Sequence, residues 1–230
     1  VTDDGKGRLS ASHEITAELD DNGAVIPSAD RKPQQNATFI NTYKDNHGYM
    51  DIRIHKTYEN ETGLDAMTHN QFRFKMEAVG DNKGSAPLPG NPEDRGDGSV
   101  TVGNTISGSV SFPTIEFGTK DAGQAYVYKI TEVMPKGASE DNDYTVNGTK
   151  YDPNEFYARV TVTATGGKAL ETSIEYFTDE KCTKEIKNGD PETGGYLYET
   201  EVGVYCLWFS NSYKAAPVSA VIKGSKTLEG

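Results

Sequence analysis

Basic residues and long apolar runs are both scarce in this sequence. It has 23 lysine and arginine residues against 35 aspartate and glutamate residues, which gives a formal net charge of −12. A surface this acidic repels phosphate groups, so the composition argues against nucleic acids and anionic lipids as partners. The longest apolar stretch, Val202 to Phe209, is far too short to cross a bilayer, and we expect no membrane insertion.

Cysteine and histidine are also rare, with two and four residues. No C-x-x-C pair and no cysteine–histidine spacing suggests a ligand set, so we predict neither a metal nor a cofactor. Cys182 and Cys206 leave two interpretations open. They form a disulfide across neighbouring strands in an oxidising compartment, or they are two reduced thiols, and the sequence does not separate the two.

Residues that favour strands and turns dominate instead. The 24 glycines, 10 prolines and 13 tyrosines are typical of an all-β protein with many turns. No segment keeps a helical period over three turns, whereas alternating apolar positions predict strands. The main predicted strands are 51–58, 72–76, 100–102, 110–117, 126–134, 157–164, 174–176 and 202–213. This pattern predicts an antiparallel β-sandwich.

A partial internal repeat divides the chain. The motif F-x-N-[ST]-Y-K occurs at 39–44 and again at 209–214, and a Lys-Thr-x-Glu motif begins fifteen residues after each asparagine. A weaker match precedes them, where residues 1–9 resemble residues 162–170. We therefore predict three parts, which are the C-terminal strands of a preceding repeat (1–44), a complete domain (45–214) and the first strand of a following repeat (215–230). Such a tandem array is typical of a stalk.

Strand alternation also puts three polar residues on faces that should be apolar, because every second side chain of a strand lies on the same face. The three predicted faces are Ile52, Ile54, Lys56 and Tyr58; Tyr126, Tyr128, Ile130 and Glu132; and Leu207, Phe209, Asn211 and Tyr213. Burying an isolated ammonium or carboxylate is costly, so such residues persist only if they are paired, neutralised or consumed by a reaction. The alternatives are that they lie at an edge or on the surface, or form a plain hydrogen-bonded trio.

These motifs resemble the pilin-type isopeptide domains of Gram-positive surface proteins, which are immunoglobulin-like sandwiches related to collagen-adhesin B-type repeats. Lys56 stands in I-x-K-T, Asn211 in F-x-N-x-Y, and Glu132 ends the box Y-x-I-x-E. In that family a lysine on the first strand is joined to an asparagine on the last strand, and a glutamate promotes the reaction. The resemblance therefore implies a Lys56–Asn211 isopeptide bond promoted by Glu132. It also implies that Asn41 and Lys226 belong to the bonds of neighbouring repeats.

The chemistry suits these residue types. A dry pocket disfavours both the ammonium and the carboxylate, so we expect Lys56 to become a neutral amine and Glu132 a neutral acid. The amine then attacks the side-chain carbonyl carbon of Asn211 while Glu132 hydrogen-bonds the carbonyl oxygen, and ammonia leaves. The reaction happens once in each chain, so we do not expect an enzyme.

The resemblance implies a structural stalk or spacer module of an adhesin or pilus, with adjacent repeats of the same protein as partners. It also implies an extracellular location on the cell surface, with attachment to the cell wall through another part of the protein. The alternative is an adhesive module that binds a host glycan or matrix protein. The only candidates for its binding surface are Tyr144, Tyr151 and Tyr196.

Overall fold

The computed structural model of the chain describes residues 2–3, 8–11, 22, 39–42, 47–63, 66–96, 98–165, 170–187, 197–201, 204–215 and 221–230. The chain divides into two compact units, residues 1–46 and residues 47–230. The described residues of both units form mainly strands and contain no α-helix.

The strands are short and joined by tight connections. In chain order they are β1 (Thr2–Asp3), β2 (Arg8–Ala11), β3 (Phe39–Thr42), β4 (Gly48–Met50), β5 (Arg53–Asn60), β6 (Arg73–Val79), β7 (Pro87–Leu88), β8 (Asn91–Arg95), β9 (Ser99–Gly103), β10 (Ser109–Ser111), β11 (Ile115–Phe117), β12 (Ala125–Glu132), β13 (Thr145–Val146), β14 (Thr149–Lys150), β15 (Glu155–Thr163), β16 (Glu171–Phe177), β17 (Leu197–Glu201) and β18 (Val204–Tyr213). Single turns of 3-10 helix lie in the connections at Lys83–Ser85, Thr119–Asp121 and Glu140–Asn142.

The first unit contains a three-stranded sheet in the order β1-β2-β3, and β3 carries Asn41. β1 pairs antiparallel with β2, with Thr2 opposite Ser10. In the second unit β15 pairs with β16 with Thr163 opposite Glu171. The spacing from Thr2 to Thr163 equals the spacing from Ser10 to Glu171, and it is the spacing of the weaker sequence repeat. β2 also pairs with β3 on its other side, whereas β16 has no second partner strand among the described strands.

The described residues of the second unit form a sandwich of two large sheets and two further two-stranded sheets, β4 with β11 and β7 with β8. One large sheet has the order β10-β5-β18-β14-β13, with β17 also paired to β18, and the other large sheet has the order β16-β15-β12-β6-β9. Aromatic rings fill the space between these two sheets. The ring of Phe209 on β18 packs edge-on against Phe74 on β6 and Phe156 on β15, at centroid distances of 5.2 and 5.0 Å. The predicted all-β sandwich is confirmed.

One pairing differs from the predicted antiparallel arrangement. β5 and β18 run parallel, with Arg53 opposite Cys206 and Asn60 opposite Tyr213. Parallel neighbours need a long connection, and here the chain passes through most of the sandwich between the two strands. The start of β5 and the end of β18 therefore lie at opposite ends of the pair.

The faces predicted from alternation are the buried faces. Their apolar members that are at most 2 % exposed are Ile52, Ile54, Tyr126, Tyr128, Ile130, Leu207 and Phe209. The three polar members, Lys56, Glu132 and Asn211, are 1, 3 and 1 % exposed. The alternative that these three residues lie on the surface is therefore wrong.

The backbone at Lys56 is held on both edges of β5. Its N–H donates to the Gly108 carbonyl oxygen at 2.8 Å, and on the other edge Lys56 lies opposite Phe209 of β18. Gly108 has a φ of +85°, and a Cβ at this position would lie 2.1 Å from the Lys56 carbonyl oxygen. Only glycine fits this close approach, which fixes the position of Lys56 in its sheet.

The two cysteines lie in different parts of the sandwich. Cys182 is in the turn after β16 and is partly buried, whereas Cys206 is buried on β18. The residues opposite Cys206 on the neighbouring strands are Arg53 and Tyr198. The described part of the chain contains no disulfide, so the interpretation as a cross-strand disulfide is wrong for this structure.

An ion pair joins β8 to the turn before β12. Both terminal nitrogens of Arg95 donate to the carboxylate of Asp121, at 2.6 and 2.9 Å, and the Tyr126 hydroxyl donates to the same carboxylate at 2.8 Å. Burial of Asp121 would raise its pKa, but these hydrogen bonds outweigh burial, and the pKa lies below its ordinary value. The carboxylate is thus ionised and holds the guanidinium in place.

We expect Asp121→Ala to lower the free energy of unfolding by about 2 kcal/mol, because it leaves the largely buried Arg95 guanidinium without its anion. The exposed pair of Arg159 and Glu175 gives a matched control. Glu175→Ala should cost less than about 1 kcal/mol, since water screens an exposed pair. Urea unfolding of the three proteins checks this prediction, and equal losses in both variants would contradict it.

Candidate functional site

Three strands from both sheets bring Lys56, Glu132 and Asn211 together inside the sandwich. Lys56 Nζ donates to Glu132 Oε2 at 2.9 Å, and Asn211 Nδ2 donates to Glu132 Oε1 at 2.7 Å. The side chains of Lys56 and Glu132 are completely shielded from solvent. One carboxylate therefore contacts both the amine and the carboxamide, and the three residues form a single buried cluster.

The register of β5 and β18 places the lysine and the asparagine on the same face. Lys56 lies opposite Phe209, and Asn211 lies opposite Tyr58, two residues further along the parallel pair. The two polar side chains are thus diagonal neighbours within one sheet. Glu132 ends β12 in the facing sheet and reaches across the sandwich to both of them.

The pocket around the amine is aromatic. Lys56 Nζ lies 5.0 Å from the centroid of the Phe72 ring and 5.8 Å from that of Phe74. Burial lowers the pKa of Lys56, and the nearby Glu132 only partly offsets this effect. Burial raises the pKa of Glu132 against the opposing effects of Lys56 and Asn211. Burial therefore disfavours the ammonium form of Lys56 and the carboxylate form of Glu132, and each group partly offsets this effect on the other.

The orientation of the Asn211 carboxamide differs from the expected one. Its nitrogen faces Glu132, and its oxygen Oδ1 accepts a hydrogen bond from the backbone N–H of Asp152 at 2.8 Å. The expectation that Glu132 hydrogen-bonds the carbonyl oxygen is therefore wrong for this structure. The physical reason is that a backbone donor already satisfies the oxygen, which leaves the amide N–H group for the carboxylate.

Asp152 is the member of this site that the sequence analysis missed. Asp152 is buried, with a relative exposure of 5 %. Its carboxylate accepts hydrogen bonds from the backbone N–H of Ser210 at 2.8 Å and from the backbone N–H of Asn154 at 3.0 Å. An Asp-Pro-Asn sequence before a strand indicates a turn held by the aspartate side chain. That signal predicts the turn, but it gives no sign that the turn contacts Asn211.

The other predicted site residues lie apart from this cluster or outside the described residues. Asn41 is on β3 of the first unit. Lys226 lies in the exposed segment 221–230, which forms no strand. Their assignment to neighbouring repeats stays a prediction.

The tyrosines proposed as an adhesive surface do not form an exposed cluster in the described residues. Tyr144 is partly buried. Tyr151 packs against the core, with its ring 5.9 Å from that of Phe72. Tyr196 lies outside the described residues.

The described residues contain neither a cluster suited to a metal ion nor a helix suited to span a membrane. No group of three or more histidine, cysteine, aspartate or glutamate side chains is placed to hold a metal ion there. Within the same residues, no helix has the length and apolar character needed to cross a membrane.

The fold and the buried trio are those expected of a β-sandwich domain of the isopeptide type. Residues 52–192, more than half of the chain, match the family FctA, described as a Spy0128-like isopeptide containing domain. The chain belongs to this family, which confirms the resemblance drawn from the sequence. The matched stretch includes Lys56 and Glu132 and ends before Asn211.

Three similar solved structures are of the major pilin from Streptococcus pyogenes. The pilin itself has 16 % sequence identity to this chain and a TM-score of 0.39. An asparagine-to-alanine variant has 17 % identity and a TM-score of 0.39, and a glutamate-to-alanine variant has 16 % identity and a TM-score of 0.38. Each match covers 71 % of this chain and 50 % of the pilin chain, so the chain spans about half the length of these relatives. No curated protein matches the sequence.

The raised pKa of Glu132 predicts a pH dependence of stability once the ammonium is removed. In Lys56→Met the carboxyl is buried without a cation, so its folded-state pKa should lie well above the unfolded value of about 4.5. Subtracting the unfolding free energy of Lys56→Met/Glu132→Gln from that of Lys56→Met gives the contribution of the Glu132 carboxyl group. This contribution should decrease as the pH rises from about 4.5 through the folded-state pKa, because ionisation then favours the unfolded chain.

Glu155 provides a control of opposite sign. Burial would raise its pKa, but hydrogen bonds from Lys129 and Tyr157 outweigh this, and the pKa is lowered. The unfolding free energy of Lys56→Met minus that of Lys56→Met/Glu155→Gln should therefore increase with pH. Urea unfolding over a pH series measures both differences, and a Glu132 difference that stays constant or rises with pH would contradict the prediction.

Proposed function

We propose that this chain is a structural module of a bacterial surface stalk or pilus, in which an amide bond between Lys56 Nζ and Asn211 Cγ ties β5 to β18. The observation that carries the proposal is the double contact of Glu132, which touches both the amine that attacks and the amide nitrogen that leaves. A structural role also agrees with the family to which the chain belongs.

In the proposed reaction Glu132 moves the protons. Lys56 first passes a proton to Glu132 and becomes a neutral amine. Its nitrogen then bonds to Asn211 Cγ, and the carbonyl electron pair moves to Oδ1. Glu132 delivers its proton to Nδ2 and takes one from the former amine, the Cγ–Nδ2 bond breaks, and ammonia leaves. The balance needs no cofactor, and each chain reacts once, so the module is not an enzyme.

Folding supplies the proximity that this reaction needs. An amide is unreactive towards an amine in water, but a fixed geometry replaces a bimolecular encounter and raises the effective concentration of the reacting groups. Here the β5–β18 ladder holds Lys56 and Asn211 on one face, and the facing sheet supplies Glu132. The site is therefore complete only when the two sheets have packed.

The proposed bond has a mechanical consequence. Because β5 and β18 are parallel, a force that enters at the start of β5 and leaves at the end of β18 shears the two strands past each other. A covalent link between Lys56 and Asn211 carries that force directly from one strand to the other. The rest of the sandwich is then outside the loaded path, which suits a stalk under tension.

In the proposed array, residues 45–214 form the complete domain, residues 1–44 end a preceding repeat and residues 215–230 begin a following one. The equal register of β1–β2 and β15–β16 supports this division. Asn41 and Lys226 then belong to the bonds of the neighbouring repeats, which are the partners of this domain. The array is extracellular, on the cell surface, and attached to the cell wall through another part of the protein.

Intact mass spectrometry of the denatured chain tests the bond. We expect the chain to weigh less than its sequence by one molecule of ammonia. Lys56→Met and Glu132→Gln should have the full sequence mass, because one lacks the nucleophile and the other the acid. The matched control is Lys129→Met, which breaks the partly exposed Lys129–Glu155 pair between β12 and β15 and should keep the deficit. A wild-type chain of full sequence mass, folded by circular dichroism, would contradict the proposal.

Single-molecule stretching tests the mechanical role. In Lys56→Met, unfolding should release the loop of about 155 residues between positions 56 and 211, an extension of roughly 500 Å. The wild-type chain should show no such step at any force below covalent rupture. A wild-type chain that lengthens by the same amount as the variant would exclude a load-bearing link.

A further inference from the structure

We propose that Asp152 completes the bond-forming site, with its backbone N–H holding the negative charge that develops on Asn211 Oδ1 and its side chain fixing that N–H in place. This inference rests on the proposed Lys56–Asn211 bond and assigns a role to a residue outside the lysine, glutamate and asparagine trio. It is carried by the contacts of Asp152 with Asn211 and Ser210.

The backbone contact has the geometry of an oxyanion donor. The Asp152 N–H lies 2.8 Å from Asn211 Oδ1 and also lies 3.4 Å from Glu132 Oε2. When the Lys56 amine adds to Cγ, the electron pair of the carbonyl group moves onto Oδ1. A fixed N–H donor in a site shielded from solvent stabilises this charge strongly, because it does not have to reorient during the reaction.

The donor is needed because Glu132 does not contact the carbonyl oxygen. Both oxygens of its carboxyl group are engaged by nitrogen atoms, Oε2 by Lys56 and Oε1 by Asn211 Nδ2. Glu132 is thus placed for proton transfer between the incoming and the leaving nitrogen. The Asp152 N–H takes the separate task of polarising the carbonyl group.

The carboxylate of Asp152 acts as a clamp. It accepts from the backbone N–H of Ser210, the residue immediately before Asn211, and from the backbone N–H of Asn154 in its own turn. Pro153 follows directly and restricts the backbone of Asp152 to an extended conformation. The turn before β15 is thereby fastened to β18 at the reacting asparagine.

The same carboxylate tunes the acid–base pair. Burial sets the direction of both shifts, lowering the pKa of Lys56 and raising that of Glu132, and the negative charge of Asp152 acts on both pKa values in the raising direction. Burial also raises the pKa of Asp152 itself, against the hydrogen bonds from Ser210 and Asn154. Among the described residues, Tyr58 of β5 and Tyr151 of the Asp152 turn also lie near the pair, since both rings pack against Phe72 and Glu132 acts on the pKa of Tyr151. Because the reaction needs one proton shared by the pair, the pH window for bond formation depends on the charge at Asp152.

Two changes separate the backbone donor from the clamp. Replacing the Asp152 backbone amide by an ester removes the N–H and keeps the carboxylate, whereas Asp152→Asn removes the charge and keeps the N–H. The matched control is an ester at Tyr151, whose N–H donates to the Tyr144 carbonyl oxygen at 3.0 Å and does not contact Asn211. Full chains assembled in denaturant start unreacted, and dilution begins folding and the reaction.

Loss of ammonia over time, measured by intact mass, gives the rate of bond formation. Trp208 fluorescence monitors folding of the same sample, since this indole lies on β18 and packs against His55 of β5 with centroids 4.5 Å apart. We expect the Asp152 ester to react about a hundredfold more slowly than the Tyr151 ester, at an unchanged pH optimum. We expect Asp152→Asn to react about tenfold more slowly than wild type, with its optimum moved to lower pH.

An Asp152 ester that reacts as fast as the Tyr151 ester would overturn the role of the N–H. An Asp152→Asn chain with the wild-type rate, or with a lower rate at an unchanged pH optimum, would overturn the role of the carboxylate in tuning the pair. If Asp152→Asn does not fold, the ester, which keeps the clamp, decides the proposal alone. A wild-type chain that loses no ammonia would instead overturn the proposed bond itself, so the two failures are distinguishable.

Discussion

The amine of Lys56 and the carboxyl group of Glu132 are buried among aromatic rings, and the cost of removing both from water governs how the sandwich assembles. Lys56 and Glu132 have no access to water, and their transfer from water is favourable only if they pair, neutralise each other or react. Lys56 comes from one sheet and Glu132 from the other, so the polar contact also fixes how the sheets face each other. The pairing of β5 with β18 adds Asn211 to this contact. Packing of the sandwich and assembly of the site are therefore the same event.

This coupling explains why a reactive trio is compatible with a stable domain. Before the sheets pack, the lysine is a solvated ammonium and does not attack an amide. After they pack, burial shifts the pKa of the amine down and that of the acid up. A link formed at this stage closes a loop of about 155 residues, which disfavours the unfolded chain by about 5 kcal/mol on the loop-entropy model. Because β5 and β18 run parallel, the proposed bond is then the shortest path for tension through the domain.

Strand alternation was sufficient to predict the buried faces and the three polar residues on them, because a period of two is a local property of the chain. The orientation of the Asn211 amide could not be predicted in this way, since it depends on a backbone N–H at Asp152, 59 residues away in sequence. The parallel pairing of β5 and β18 was missed for a related reason, because alternation is the same for both strand directions. Cys182 and Cys206 show the same limit, since their placement in different parts of the sandwich follows from topology and not from spacing.

Tandem mass spectrometry of a tryptic digest is the decisive measurement, because it locates the proposed link between Lys56 and Asn211 as well as detecting it. An amide on Lys56 blocks cleavage at that residue, so we expect a branched peptide that joins residues 54–73 to residues 188–214 and lacks one ammonia. Fragment ions should place the branch point at Lys56 and Asn211. Two separate linear peptides ending at Lys56 and Lys214, with an intact asparagine at position 211, would show that the bond does not form.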